Sequence, residues 1–330
     1  MGERKDLLSA DNLVVRFRQA QGFRRAVIYP VNQVSLTIAR NEVLGIVGES
    51  GSGKTTLGRA LAGMVPIAQG SLWLKGRNVT ELNRKRLREY WAEVQMIFQD
   101  VYNSLNPVYT VEQQLLFPIQ HHALPNVEPD QELERLLHLT GLTPAAAVRT
   151  RLPHELSGGQ RQRVAIVRAL ASGPELLVAD EPVSMLDVSL GADILQLLLD
   201  LRAEFGLSIV YITHDLPSAV YLCDRILVMY GGRIVESVSA DNLVKHSQHP
   251  YTQRLLAAAR FEGPEESSAR SSDSVTSSVL LESHRGCPYA ERCPIVSEIC
   301  TQTRPELVQI NSDHTVACHA VSTSLEERNG

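Results

Sequence analysis

The pattern of hydrophobic and polar positions predicts strands that alternate with helices. Two segments alternate apolar and polar residues, the period of a half-buried strand, and the polar segment between them, 18–25, predicts a loop. Three other segments are continuous apolar runs, which are typical of strands buried on both faces. The alternating segments are 13–17 and 34–38, and the continuous runs are 43–47, 176–179 and 208–212.

Between these strands the apolar residues recur at helical spacing. Segment 190–205 predicts a helix, and segment 84–170 is mainly helical apart from an apolar run at 94–98. Segment 70–75 predicts another strand. Segments 225–230 and 233–236 flank two glycines and predict a hairpin. Strands alternating with helices favour a mainly parallel sheet with helices on both faces.

Composition excludes some classes of protein and favours others. The chain has 330 residues, 44% of them hydrophobic and 21% charged. It holds no apolar run long enough to span a bilayer and starts without an apolar leader, so we expect a cytoplasmic location. The net charge of −5 argues against nucleic acid as the partner, because such proteins usually carry a basic surplus.

A glycine-rich segment between the predicted strand 43–47 and a predicted helix fits the P-loop pattern. Its glycines let backbone N–H groups approach a phosphate, and the helix N-terminus favours anions. Lys54 would reach the β- and γ-phosphates, and the Thr55 hydroxyl would bind Mg²⁺. A merely structural turn is the alternative. The predicted nucleotide-binding residues are Gly48, Glu49, Ser50, Gly51, Ser52, Gly53, Lys54, Thr55 and Thr56.

Two carboxylates follow the predicted strand 176–179. Asp180 is expected to hold Mg²⁺, and Glu181 to polarise the attacking water as general base. An acidic helix cap before Pro182 is the alternative. Their position downstream of a P-loop favours the catalytic interpretation.

Segment 156–163, with the sequence Leu-Ser-Gly-Gly-Gln-Arg-Gln-Arg, narrows the choice among P-loop proteins. Ser157 is a good helix N-cap, and the glycines leave N–H groups available to an anion. An ordinary Ser-capped helix would show the same features. Together with the P-loop and the acidic strand end, however, the segment resembles the signature motif of the ATP-binding cassette (ABC) family.

The resemblance to ABC proteins extends over residues 13–258 and implies roles for further residues. Gln99 resembles the glutamine that contacts Mg²⁺ and the attacking water, Asp187 the D-loop aspartate, and His214 the histidine that contacts the γ-phosphate. Phe17 resembles the aromatic residue that stacks on adenine, with Tyr29 as its competitor.

In this family two ATPase subunits pack head to tail, so that the signature of one subunit meets ATP held by the other. The resemblance therefore implies that Ser157, Gly158, Gly159 and Gln160 contact the partner's nucleotide. Met185 stands where the family has alanine, and the larger side chain is expected to perturb the contact across the dimer.

Three parts of the chain indicate the subfamily: segments 103–107 and 249–253 and the tail, residues 286–319. They resemble the corresponding segments of the oligopeptide/dipeptide/nickel importers. This resemblance implies an ATP-hydrolysing subunit, peripheral on the cytoplasmic face of the membrane. Its partners would be two transmembrane permease subunits, a second ATPase subunit (a different chain or a second copy) and, indirectly, an extracytoplasmic solute-binding protein. A soluble ABC ATPase of a carbon–phosphorus lyase-like or nucleic-acid-processing complex is the alternative.

Four of the five cysteines lie in the tail, with five, six and seventeen residues between successive members. Four thiolates can hold an iron–sulfur cluster or tetrahedral zinc. The family resemblance favours a [4Fe-4S] cluster over Zn²⁺, and unligated thiols are the third possibility. The fifth, Cys223, is expected to be a small core residue. The predicted ligands are Cys287, Cys293, Cys300 and Cys318.

These inferences predict an α/β fold, a P-loop NTPase of ABC type. It would contain a mainly parallel core sheet, an antiparallel β part, a helical subdomain and a small cysteine-bearing C-terminal extension. The predicted ATPase domain covers 1–260, with its helical subdomain at about 84–170. A flexible linker rich in Ser and Glu, 261–284, precedes the extension, 285–330.

Overall fold

The computed structural model describes residues 6–21, 24–121, 128–261 and 285–323. The chain forms two compact units, the first comprising Met1–Glu81 with Tyr211–Gly330 and the second Leu82–Val210. The predicted linker, 261–284, lies almost entirely outside the described residues. No described helix is both long enough and apolar enough to cross a membrane.

The strands, in chain order, are β1 Asp6–Gln21, β2 Arg24–Ala39, β3 Val43–Val47, β4 Gln69–Leu74, β5 Arg77–Asn78, β6 Val94–Ile97, β7 Leu176–Asp180, β8 Ser208–Thr213, β9 Arg225–Tyr230, β10 Arg233–Ser239, β11 Val308–Asn311 and β12 His314–Val316.

The helices are α1 Lys54–Leu61, α2 Arg84–Glu93, α3 Val101–Ser104, α4 Val111–His121, α5 Pro129–Leu139, α6 Ala145–Arg149, α7 Gly158–Leu170, α8 Val188–Phe205, α9 Leu216–Leu222, α10 Ala240–His246, α11 Pro250–Phe261 and α12 Glu298–Gln302.

The first unit contains two sheets. One is antiparallel in the order β2-β1-β4-β5. In the other, β3 pairs in parallel with β9, β9 and β10 form an antiparallel hairpin, and β12 pairs with β10 and β11. The turn of the hairpin is Gly231-Gly232, whose φ angles of 54° and 78° favour glycine. The C-terminal extension therefore contributes strands to the sheet that carries the P-loop.

The second unit contains β6 and β7, which pair in parallel, and most of the helices. The continuous apolar runs in both units are buried throughout, as predicted: every residue of β3, β7 and β8 is buried.

The predicted loop at 18–25 is wrong within the described residues. Arg18 pairs with Val27 and Gln19 with Ala26, so the β1–β2 ribbon continues through this polar segment. The segment is polar and lacks the apolar alternation that would have predicted a strand.

Candidate functional site

The P-loop connects β3 to α1 in the first unit. Gly53 is the N-cap of α1 with φ 106°, a conformation that an L side chain rarely adopts. A Cβ atom on Gly53 would lie 1.9 Å from the Pro30 carbonyl oxygen, and one on Gly48 would lie 2.2 Å from the Met229 carbonyl oxygen. Both positions require glycine, because the loop packs directly against neighbouring backbone.

The Lys54 side chain lies inside this turn and binds its backbone. Its side chain is buried, and its Nζ donates to the carbonyl oxygens of Gly48, at 2.7 Å, and Glu49, at 2.9 Å. The ammonium group therefore lies within the loop that the sequence assigns to the phosphates, held by backbone oxygens that a phosphate could replace.

One buried polar atom in this loop lacks a partner: the Ser52 hydroxyl makes no hydrogen bond, although its residue is fully buried. Buried hydroxyls are normally satisfied, so this one is available to a ligand oxygen. Together with the glycine cradle and the buried ammonium, this atom fits a bound nucleotide phosphate. The Thr55 hydroxyl and the Asp180 carboxylate are oxygen donors of the kind that Mg²⁺ binds.

Sequence reasoning did not identify the groups that hold Glu49. Its backbone N–H donates to the Tyr251 hydroxyl at 2.7 Å, and its carboxylate pairs with Arg292 at 3.0 Å. Tyr251 falls in segment 249–253, which the family resemblance had singled out without a role.

The second unit brings two of the predicted catalytic residues together. The Gln99 amide Nε2 donates to the Glu181 carboxylate at 2.7 Å. Asp180 is buried at the carboxyl end of β7, whereas Glu181, the next residue, is partly exposed. Gln99 follows β6, which ends at Ile97 rather than at 98 as predicted.

Glu181 also has an unusual backbone. Its φ of 47° lies in the left-handed region, which costs a residue other than glycine about 1–2 kcal/mol. Such conformations cluster at functional sites, where surrounding structure holds them. The turn directs the carboxylate toward the Gln99 amide.

Ser157 caps the signature helix α7, as the sequence predicted. The Ser157 hydroxyl accepts from the Gln160 N–H at 3.2 Å, and the Gln160 side chain accepts from the Ser157 N–H at 3.1 Å. This reciprocal capping box fixes the turn. Gly158 is exposed, whereas Gly159 is buried against Leu190.

Asp187 caps α8 in the same way: its Oδ1 accepts from the Leu190 N–H at 3.0 Å and from the Ser189 hydroxyl at 2.7 Å. The hydrogen bond from the Leu190 backbone N–H, followed by that from the Ser189 hydroxyl, lowers the pKa of the Asp187 carboxyl. Met185, two residues earlier, is 69% exposed, so its side chain lies on the surface where the D-loop is expected to meet a second subunit.

His214 is exposed directly after β8, and Phe17 is a half-exposed aromatic residue on β1. Tyr29, the competing adenine contact, is less exposed. Large apolar side chains of the second unit are also exposed in one short segment, a region named here the 102–117 apolar segment: Tyr102, Val108, Tyr109 and Phe117.

The four tail cysteines line one small pocket together with His249 and His319. None forms a disulfide, and no group of three or more His, Cys, Asp or Glu side chains among the described residues could hold a metal ion. Burial raises the pKa of the Cys287 thiol to about 11. The structure therefore gathers the four predicted ligands around one pocket, but not in an arrangement that could by itself hold the predicted iron–sulfur cluster or zinc ion. Cys223 is buried, as expected of a core residue.

Known proteins resemble this chain at the levels of family, sequence and fold. Residues 31–184 match the ABC transporter family, and residues 235–300 match the C-terminal region of oligopeptide/dipeptide transporters. The chain is 38% identical to the oligopeptide transport ATP-binding protein AppF of Bacillus subtilis, over 91% of this chain and 92% of AppF. It is also 38% identical to a putative peptide import ATP-binding protein of Brucella ovis, over 89% and 93% of the two chains.

Among solved structures, a dimeric post-hydrolysis state of the cassette MJ0796 bound to ADP and Pi superposes with a TM-score of 0.63. The two are 28% identical, and the match covers 71% of this chain and 98% of the other. CbiO1 of Clostridium perfringens, part of the transporter complex CbiONQ, gives a TM-score of 0.64 at 26% identity, covering 73% and 92%.

Proposed function

This chain belongs to the ATP-binding proteins of ABC transporters, in the oligopeptide/dipeptide group, and from that premise we propose that it energises the import of short peptides or related small solutes. It is an ATP-hydrolysing enzyme. The observation that carries the proposal is the match of residues 235–300 to the C-terminal region of oligopeptide/dipeptide transporters, which follows the ABC transporter match at 31–184 in the same chain.

In the proposed mechanism the P-loop binds the triphosphate. Lys54 exchanges the carbonyl oxygens of Gly48 and Glu49 for phosphate oxygens, and the Ser52 hydroxyl gains a partner. Thr55 and Asp180, with Gln99, would hold Mg²⁺, which neutralises phosphate charge when it is bound.

Hydrolysis is assigned to the Gln99–Glu181 pair. The hydrogen bond from the Gln99 amide holds the Glu181 carboxylate in place. Glu181 then accepts a proton from the attacking water, and His214 contacts the γ-phosphate. General-base catalysis of this kind contributes roughly 10²–10⁴-fold to the rate.

A second ATPase subunit completes each site in this proposal. Ser157, Gly158, Gly159 and Gln160 of one subunit would bind the nucleotide held by the other, and Asp187 would contact the facing subunit. The capping box supports this role, because it presents a rigid helix N-terminus whose positive end attracts phosphate. Phe17 would stack on the adenine.

Permease subunits are proposed to dock on the second unit at the 102–117 apolar segment. Exposed apolar side chains concentrated in a short stretch are typical of interaction surfaces. The subunit would accordingly lie on the cytoplasmic face of the membrane, as a peripheral protein, with a solute-binding protein acting on the far side.

The proposed [4Fe-4S] cluster in the tail rests on the shared cysteine pocket and on family resemblance. The C-terminal extension would hold it through its four cysteines. The absence of both iron and acid-labile sulfide from anaerobically purified protein would exclude the cluster. Stoichiometric zinc in that protein would show that the cysteines bind Zn²⁺ instead.

The catalytic assignment is tested by Glu181→Gln and Lys54→Ala. E181Q should keep ATP binding, accumulate as a nucleotide-bound dimer and lose at least about 100-fold in turnover. K54A should lose nucleotide binding. Glu89→Gln, a charge-matched change on an exposed face of α2, is the control and should hydrolyse ATP at the wild-type rate.

The transport assignment is tested by co-purification from cells that express the chain at native level. Two multi-span membrane proteins in the complex are the expected result. A soluble enzyme complex of the carbon–phosphorus lyase type, or one containing nucleic acid, would contradict it.

A further inference from the structure

A salt bridge connects the P-loop to the C-terminal extension. Arg292 donates from Nη1 to Glu49 Oε2 at 3.0 Å and from Nη2 to Glu49 Oε1 at 3.5 Å. The side chains are only 23% and 17% exposed. Two parallel bonds to one carboxylate fix both groups, and partial burial shields the pair from solvent.

Arg292 is itself held in place by aromatic residues. Its Nη1 also donates to the Tyr230 hydroxyl at 3.3 Å. The ring of Tyr289, three residues before Arg292, lies 5.2 Å from the ring of Tyr230 and 5.4 Å from that of Tyr251. These tyrosines are fully buried, so the loop that carries Arg292 has little freedom to move away from the P-loop.

Glu49 occupies a sensitive position in the phosphate-binding loop. Its carbonyl oxygen binds the Lys54 ammonium, and its N–H is held by Tyr251. Its carboxylate, however, is a negative charge beside the place where a polyanionic nucleotide is to bind. Unless a cation neutralises that carboxylate, it repels the nucleotide phosphates.

We propose that Arg292 is a positioning residue for nucleotide binding: it neutralises and orients Glu49, so that the C-terminal extension sets the affinity of the P-loop for ATP. The proposal rests on the proposed function of the P-loop as the ATP site. Because Tyr289 and Arg292 lie between Cys287 and Cys293, the contact depends on how this loop of the extension folds.

Four proteins test the proposal: wild type, Arg292→Ala, the double variant Arg292→Ala with Glu49→Gln, and the control Arg285→Ala. Arg285 is an exposed arginine of the same extension. Each full chain is titrated with a fluorescent ATP analogue and Mg²⁺ at low and at high salt. Arg292→Lys, which keeps the charge but loses the two-pronged geometry, is expected to fall between wild type and R292A.

R292A should bind the nucleotide roughly 3- to 10-fold more weakly at low salt, with a smaller loss at high salt, because the unpaired Glu49 charge is screened. R292A with E49Q should bind the nucleotide more tightly than R292A and recover most of its loss, because the uncompensated charge is gone. R285A should match wild type.

The double variant separates the proposal from a general structural role, since a disordered extension would weaken binding whether or not residue 49 is charged. Wild-type affinity in R292A, or an R292A/E49Q affinity as weak as that of R292A, would overturn the proposal. If R292A does not fold, Arg292→Gln, of similar length, takes its place in the same comparison. Failure of the proposed function gives a different result: the wild-type chain itself would bind no nucleotide.

Discussion

The backbone conformation of Glu181 predicts that a glycine variant is more stable than an alanine variant, which reverses the usual order. Its φ of 47° should cost about 1–2 kcal/mol for any residue with a Cβ, and replacement by glycine removes that cost. Glycine also makes the unfolded chain more flexible, which costs roughly 0.5–1 kcal/mol. Glu181→Gly should therefore be more stable than Glu181→Ala by about 1 kcal/mol.

The comparison with alanine is chosen because both variants lose the carboxylate and its hydrogen bond to Gln99. Ser184 supplies the matched control: its hydroxyl donates to the Glu181 carbonyl oxygen at 3.0 Å, and it is not among the residues with positive φ. At that position the usual order should hold, with Ser184→Ala more stable than Ser184→Gly by roughly 0.5–1 kcal/mol.

The assay is urea unfolding of the nucleotide-free chain, with midpoints compared at equal slopes. If E181A is as stable as E181G, or more stable, the backbone at residue 181 is not strained. Both variants should lose ATP hydrolysis. Greater stability of E181G would therefore show that glutamate at this position serves activity and costs stability.

Three further predictions concern Gly53, Gly45 and His249. Gly53→Ala should lower nucleotide affinity at least about 10-fold in a titration, because its Cβ would lie 1.9 Å from the Pro30 carbonyl oxygen; wild-type affinity would contradict this. Gly45→Ala should destabilise the chain by about 1–3 kcal/mol in urea, because its Cβ would lie 2.9 Å from Cys223 Sγ. The double variant with Cys223→Ala should recover part of that loss. If the two substitutions destabilise the chain additively, the Cβ of Gly45→Ala does not clash with Cys223 Sγ. Burial lowers the pKa of His249 to about 4. As pH falls below about 6.5, His249 is protonated in the unfolded chain before it is protonated in the folded chain. The free energy of unfolding should therefore fall by up to roughly 3 kcal/mol toward pH 4. In His249→Asn the fall over this pH range should be less steep.

Sequence reasoning succeeded where the signal is local. The buried strands β3, β7 and β8 are continuous apolar runs, and the P-loop and the Ser157 cap depend on residues a few positions apart. These features could be predicted because the residues that define them are close together in the sequence.

It failed where distant parts of the chain meet. Arg292 contacts Glu49 across 243 positions, and nothing near either residue marks the pair. The left-handed backbone at residue 181 could not be predicted, because the residue is glutamate and not glycine. The polar end of the β1–β2 ribbon, within segment 18–25, was missed for a different reason: it pairs as a strand without the apolar alternation seen at 13–17 and 34–38.

The pairing of β12 with β10 changes how the tail should be regarded. A Ser- and Glu-rich segment at 262–283 suggests a module that could be cut away. Yet Glu236 of β10 pairs with Val316 of β12, and its buried carboxylate lies 2.7 Å from the imidazole of His314. A chain shortened at that segment would carry a bare sheet edge, open to strands of other molecules, and a buried acid deprived of its imidazole partner. Such a fragment should aggregate rather than yield a smaller working ATPase.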